Sequence, residues 1–182
     1  MVFPSTVGGE GGKGGQNPVR AAAKAPYTSN MDEKPFWEVK SLSQMSGEEW
    51  ESLCDGCGRC CLVRFEDEDT GEVIPTRVAC RLFDDATCRC RNYKRRKRIV
   101  PDCIKLTPGN VAGLTWMPPS CAYRRVHERR GLAAWHPLVS GDADSVHRAG
   151  VSVRGQTISE LTFDDIEDAV DFDAPEFLND PQ

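Results

Sequence analysis

Nine cysteines are confined to the 68 residues between Cys54 and Cys121 of a 182-residue chain. Their order is Cys54-x2-Cys57-x2-Cys60-Cys61, then Cys80, Cys88-x-Cys90, Cys103 and Cys121. A C-x2-C pair lets one tight turn present two sulfurs to a single ion. In CDGCG, Gly56 and Gly58 supply the backbone freedom that such a turn needs. Two overlapping pairs share Cys57, and this spacing serves either tetrahedral zinc or an iron–sulfur cluster. Buried, inert thiols are the competing explanation for isolated residues such as Cys80 or Cys103, because free cysteine packs as a small hydrophobe. That explanation gives no reason for the spacing over 54–61. Neighbouring side chains diverge, so Cys60 and Cys61 are expected to reach different centres, or one of them to be structural. Two four-sulfur sites would use eight of the nine thiols; one cluster with several buried thiols is equally allowed. Cys121 falls at a predicted helix start, where the helix dipole stabilises a thiolate.

Composition explains why an ion would be needed. Leu, Ile, Val and Phe make up only about a fifth of the chain, near the lower limit for a self-sufficient apolar core. Small or poorly apolar domains use disulfides or metal instead. No apolar run approaches the roughly 20 residues of a membrane span. The N-terminus has no continuous hydrophobic stretch of the secretory kind. A cytoplasmic location is therefore expected, where clustered thiols are reduced and serve as metal ligands or redox groups.

Three regions follow from pattern and charge. Residues 1–33 are rich in Gly, Ala and Pro and are expected to be a disordered tail. Residues 34–158 carry the cysteines and a basic surplus, and form the metal-binding domain. Residues 159–182 form an acidic segment. Within the domain, Ser46 and Glu49 make a capping box for a short helix reaching about Leu53. Residues 62–65 and 72–79 flank the turn EDEDTG and predict a hairpin. A helix over 91–100 would close at Pro101. Thr107-Pro108 marks a short helix start, and Pro118-Pro119-Ser120 introduces a helix over 121–130 that ends at Gly131. Its inward face would carry Ala122, Tyr123 and Val126. Val151, Val153 and Ile158 predict a strand over 149–158, and Phe163, Ile166 and Val170 a final amphipathic piece. The fold class is α+β: a small, irregular, metal-stapled domain with short helices and few short strands.

Other features suggest less. Arg89, Arg91, Lys94, Arg95, Arg96, Lys97 and Arg98 lie within ten residues and include Tyr93 among them. They could contact nucleic acid, form a solvated face, or balance the charge of thiolate sites. Among His127, His136 and His147, His136 is the best placed to ligate, although packing or a local hydrogen bond is the preferred role. Glu66, Asp67, Glu68 and Asp69 read as a solvated acidic turn, since calcium-type spacing is absent. No phosphate loop, dinucleotide fingerprint or nucleophile elbow occurs; enzyme status stays open and no catalytic residue is named.

CDGCGRCC resembles the signature of the CxxCxxCC cysteine-cluster proteins. The stretches FWEVKSLSQMSGEEWESLCDGCGRCC, VACRLFDDATCRCRNYKRRKRIVPDCIKLTPGN and SCAYRRVHERRGLAAWHPLVSGD look like the YcgN-like branch of that family. The resemblance covers about 34–158 and implies zinc or iron chelation through Cys54, Cys57, Cys60 and Cys61. It also matches Cys80, Cys88 and Cys103 to later cysteines of the family pattern. The function expected is metal binding, zinc slightly ahead of iron. An iron–sulfur redox protein or oxidoreductase subunit comes second, and a zinc-stabilised nucleic-acid-binding module third; a metal buffer or delivery role also stays open. Cys90 and Cys121 complete the set of candidate ligands.

Overall fold

Gly, Pro and Cys recur along this sequence, and the elements are correspondingly brief. The computed structural model describes residues 34–71 and 73–171. The expectations for 1–33 and for the acidic residues beyond 171 lie outside the described residues. Helix α1 (Phe36–Val39) is followed by a 3-10 turn and by α2 (Gly47–Ser52). The capping box forms as predicted: the Ser46 hydroxyl accepts from the Glu49 N–H, and Glu49 Oε2 accepts the Ser46 N–H at 2.8 Å. Two orphan helix donors are thereby satisfied.

The predicted hairpin is present as β1 (Leu62–Glu66) and β2 (Val73–Ala79), paired antiparallel. Asp67 builds its turn, with Oδ1 accepting from the N–H groups of Asp69 and Thr70. The register shifts between Leu62 and Arg64, an irregularity of the kind that re-aims side chains. A two-residue strand, β5 (Ile158–Ser159), adds in parallel to the end of β2, opposite Val78 and Ala79. It stops short of Pro75, which cannot donate to a ladder. A second small hairpin, β3 (Phe83–Asp84) with β4 (Arg89–Cys90), was not anticipated from sequence.

Several predicted elements are shorter than expected. The strand over 149–158 reduces to Ile158–Ser159. Val151 and Val153 are buried, but their backbone groups bond the cysteine loop rather than a ladder: the Val153 N–H donates to the Cys57 carbonyl, and the Val151 carbonyl accepts from Arg59. Residues 91–100 hold a 3-10 turn, Tyr93–Arg95, and α3 (Arg96–Ile99). Thr107-Pro108 opens a turn closed by Asn110, whose Oδ1 accepts the Thr107 N–H, and then a 3-10 turn at Val111–Gly113. Helix α4 (Ala122–His127) is shorter than 121–130 but buries the predicted Ala122, Tyr123 and Val126. Helices α5 (Pro137–Ser140) and α6 (Ser145–Arg148) complete the helical side. Among the described residues no helix is long and apolar enough to cross a membrane.

The apolar interior is divided into three small groups. Phe36, Leu42, Leu53, Val111, Met117, Ala122, Tyr123 and Val126 form the helical group. Leu62, Ala79, Phe83, Cys88 and Val153 form a second. Val63, Val78 and Ala169 form a third, with Phe65 and the predicted Phe163 and Ile166 packed against it. The loop 54–61 runs between Leu53 of the first group and Leu62 of the second, so the thiols sit on the seam of a divided core.

Candidate metal centre

The loop begins with a fixed entry. Helix α2 delivers Leu53, which is fully buried. His136 Nε2 donates to the Leu53 carbonyl at 3.0 Å while its Nδ1 accepts the Leu138 N–H. Those two bonds require the neutral Nε2–H tautomer. His136 is 1 % exposed, and burial lowers its basicity. It is therefore a packing and positioning residue, in line with the preferred sequence reading. The Tyr123 hydroxyl of α4 donates to the Trp50 carbonyl at 3.0 Å, and the two rings pack 4.7 Å apart.

Within the loop each turn has a cause. Asp55 is buried, and its Oδ1 accepts the Cys57 N–H at 3.0 Å. Gly56 and Gly58 both take positive φ, +80° and +79°. At Gly58 space also decides: a Cβ would lie 2.7 Å from Phe83 Cζ and 2.8 Å from Val153 Cγ2. Over Gly56 the Arg89 guanidinium sits 3.6 Å from the Cβ position. A 3-10 turn, Arg59–Cys61, then carries the cysteine doublet into β1.

Arg59 was not singled out in the sequence. Its side chain is 1 % exposed. Nε donates to the Val151 carbonyl at 2.7 Å and Nη1 to Ser120 Oγ at 3.3 Å. It thus ties the loop to the segment that ends at Cys121, the residue preceding α4. The only signal for this was a cation set inside the cysteine motif.

The thiols fall into neighbourhoods. Cys57 is pushed well above its ordinary range, first by removal from water, then by the charges of Asp55, Cys60 and Cys121. Cys60 is raised chiefly by its hydrogen bond with Cys61, then by removal from water; the two neighbouring thiols therefore meet rather than diverge, contrary to the sequence expectation, because the 3-10 turn Arg59–Cys61 carries both. Cys54 and Cys60 keep solvent-accessible surface, yet protein crowds Cys54 densely enough that desolvation leads in pushing it up to about 12. Cys121 also rises to about 12 by burial, which outweighs the opposing hydrogen bonds from the Arg124 and Tyr123 amides at the start of α4. Cys54, Cys57, Cys60, Cys61 and Cys121 thus sense one another. Cys80, Cys90 and Cys103 form a second neighbourhood, each of the last two adding to the rise of Cys80, and Cys103 bridges to the first because Cys60 also raises it. Cys80 abuts the first group through its N–H, which donates to the Cys61 carbonyl at 2.9 Å. Cys88 is buried in the second apolar group, against which Cys61 also packs; it is 5 % exposed and at φ 52°.

Among the described residues, no three Cys, His, Asp or Glu side chains are already drawn close enough to hold an ion. In donor chemistry the five-thiol neighbourhood suits zinc or iron, both of which take cysteine sulfur. His147 is engaged elsewhere, its Nδ1 pairing with Ser152 Oγ at 2.7 Å.

A family model named CxxCxxCC, described as "Putative zinc- or iron-chelating domain", matches residues 53–122. A UPF0260 protein of Caulobacter sp. (strain K31) is 68% identical over 147 residues, 81% of this chain and 91% of the relative. One from Allorhizobium ampelinum is 55% identical over 140 residues, 76% and 88% of the two chains. The chain belongs to the UPF0260 family. The resemblance drawn from CDGCGRCC is thereby shown, and the matched segment contains all nine cysteines of this UPF0260 protein. No solved structure matches it.

In this UPF0260 protein the basic run is largely exposed, with Arg96 half-buried and stacked 3.8 Å over the Tyr93 ring. The Tyr93 hydroxyl donates to Glu51 Oε2 at 3.0 Å, which fastens the run to α2.

Proposed function

We propose that this UPF0260 protein chelates zinc or iron, with Cys54, Cys57, Cys60 and Cys61 as principal ligands and Cys121, immediately before α4, as a further candidate. Cys80, Cys90 and Cys103 are candidates for further ligation, and Cys88 is left to apolar packing. The observation that carries this reading is the placement of four sulfurs on one glycine-turned loop, on the seam between two apolar groups and within the segment matched by a zinc- or iron-chelating family model.

Thiolates, not thiols, bind such ions, so uptake releases protons. The surroundings of Cys54, Cys57 and Cys121 favour the neutral thiol, and this keeps those sulfurs protonated until an ion arrives. A bound ion would draw the sulfurs inward and link the helical group to the sheet group. Zinc is slightly favoured over iron because paired C-x2-C elements suit closed structural sites. The test is elemental analysis and a visible spectrum of protein purified without oxygen. A colourless protein with stoichiometric zinc supports zinc. A brown one with labile sulfide supports an iron–sulfur cluster. Absence of both metals after growth with both rejects the reading.

A further inference from the structure

Arg64 is the third residue of β1, in the otherwise apolar run LVRF. Its guanidinium reaches back over the cysteine doublet. Nη2 donates to the Arg59 carbonyl at 2.5 Å and Nη1 to the Leu62 carbonyl at 2.9 Å. These two carbonyls bracket Cys60 and Cys61, so the planar fork clasps the turn that holds both sulfurs. The opposite face is fixed by Trp116, whose ring centroid lies 4.5 Å from Cζ. Burial lowers the basicity of Arg64, and the neighbouring Cys60, Cys61 and Cys57 act in the other direction. Among the described residues no carboxylate is in ion-pair contact with it. A half-buried guanidinium without a carboxylate would ordinarily be unfavourable. It becomes favourable when the anions it faces are thiolates.

We propose that Arg64 is the fixed countercharge of the thiol site, a positioning residue that holds the Cys60–Cys61 turn and offsets the negative charge thiolate ligands bring to an ion. This rests on the chelation reading above. Four thiolates around a divalent ion leave a net charge of −2, which low-dielectric surroundings penalise. A guanidinium within the turn reduces that penalty without supplying a ligand. Arginine suits the role better than lysine because one rigid plane can serve two carbonyls and an aromatic face together. Arg89, over Gly56 on the other side, lowers the Cys54 thiol and acts in the same sense from a more exposed position.

The test separates charge from hydrogen bonding. Arg64→Lys keeps the charge and loses the fork; Arg64→Gln keeps an amide donor for the turn and loses the charge. Zinc(II) affinity is measured for the full chain by competition with a chromophoric chelator, and circular dichroism verifies that each metal-free variant keeps the wild-type fold. Arg64→Gln should weaken zinc binding about tenfold, as loss of a group supporting metal ligands typically does, while Arg64→Lys, which keeps the charge but loses the fork and the stacked plane, should weaken it less, by about threefold. Equal affinity of Arg64→Gln and wild type overturns the proposal. So does an equal loss in both variants, which would leave only the fork. Failure of the wild-type chain itself to take up zinc or iron defeats the chelation reading instead.

Discussion

Individual residues in the cysteine loop are held by conditions that differ from one position to the next. Gly58 needs both a left-handed backbone and empty space where a side chain would begin. Gly155 has a similar φ, +73°, with nothing near its Cβ position. Gly58→Ala is therefore expected to destabilise the protein by about 2–4 kcal/mol, combining left-handed strain with overpacking. Gly155→Ala should lose only about 1 kcal/mol. Denaturant unfolding of the two variants measures the difference, and equal losses would refute the packing argument. The glycine pattern in CDGCG was legible in the sequence as a need for positive φ. Contact with Phe83 and Val153 was not, because both partners come from elsewhere in the chain.

Elements of four to six residues cannot be stable alone, so they depend on side chains that lock one to another. His136 is the clearest lock: it starts α5 and binds the carbonyl at the end of α2. In the unfolded chain its imidazole titrates near 6.5, and burial lowers that value in the fold. Between the two values the unfolded state holds more protons, so stability rises with pH. The contribution is complete above about 6.5 and is lost progressively as pH falls below it. Wild-type unfolding free energy should drop between about pH 7 and pH 5 by more than that of His136→Gln, which has nothing to protonate there. Parallel pH profiles would dismiss His136 as the lock. The capping box of α2 and the β1–β2 hairpin could be read from local pattern, since their signals lie within a few residues. The strand expected at 149–158 failed because Val151 and Val153 are held by Arg59 and Cys57, which no local periodicity reports.

At the scale of the whole molecule, a divided apolar interior makes an ion at the seam a source of folding free energy. Adding zinc to the metal-free protein should raise its melting temperature, and at 100 times the dissociation constant the gain corresponds to about 2.7 kcal/mol. Cys57→Ser should lose most of that gain, whereas Cys88→Ala should keep it from a lower starting stability. An undiminished gain in Cys57→Ser would remove Cys57 from the ligand set. The sequence by itself determined the fold class, the α2 cap, the first hairpin and the family signature, all of which are encoded over short spans of chain. Only tertiary structure decided that Cys121 comes within electrostatic reach of the loop thiols, that Cys88 is buried in the second apolar group, and that Arg59, Arg64 and Arg89 converge on the loop. Those outcomes depend on which distant backbone groups and apolar surfaces meet, and spacing along a chain carries no record of them.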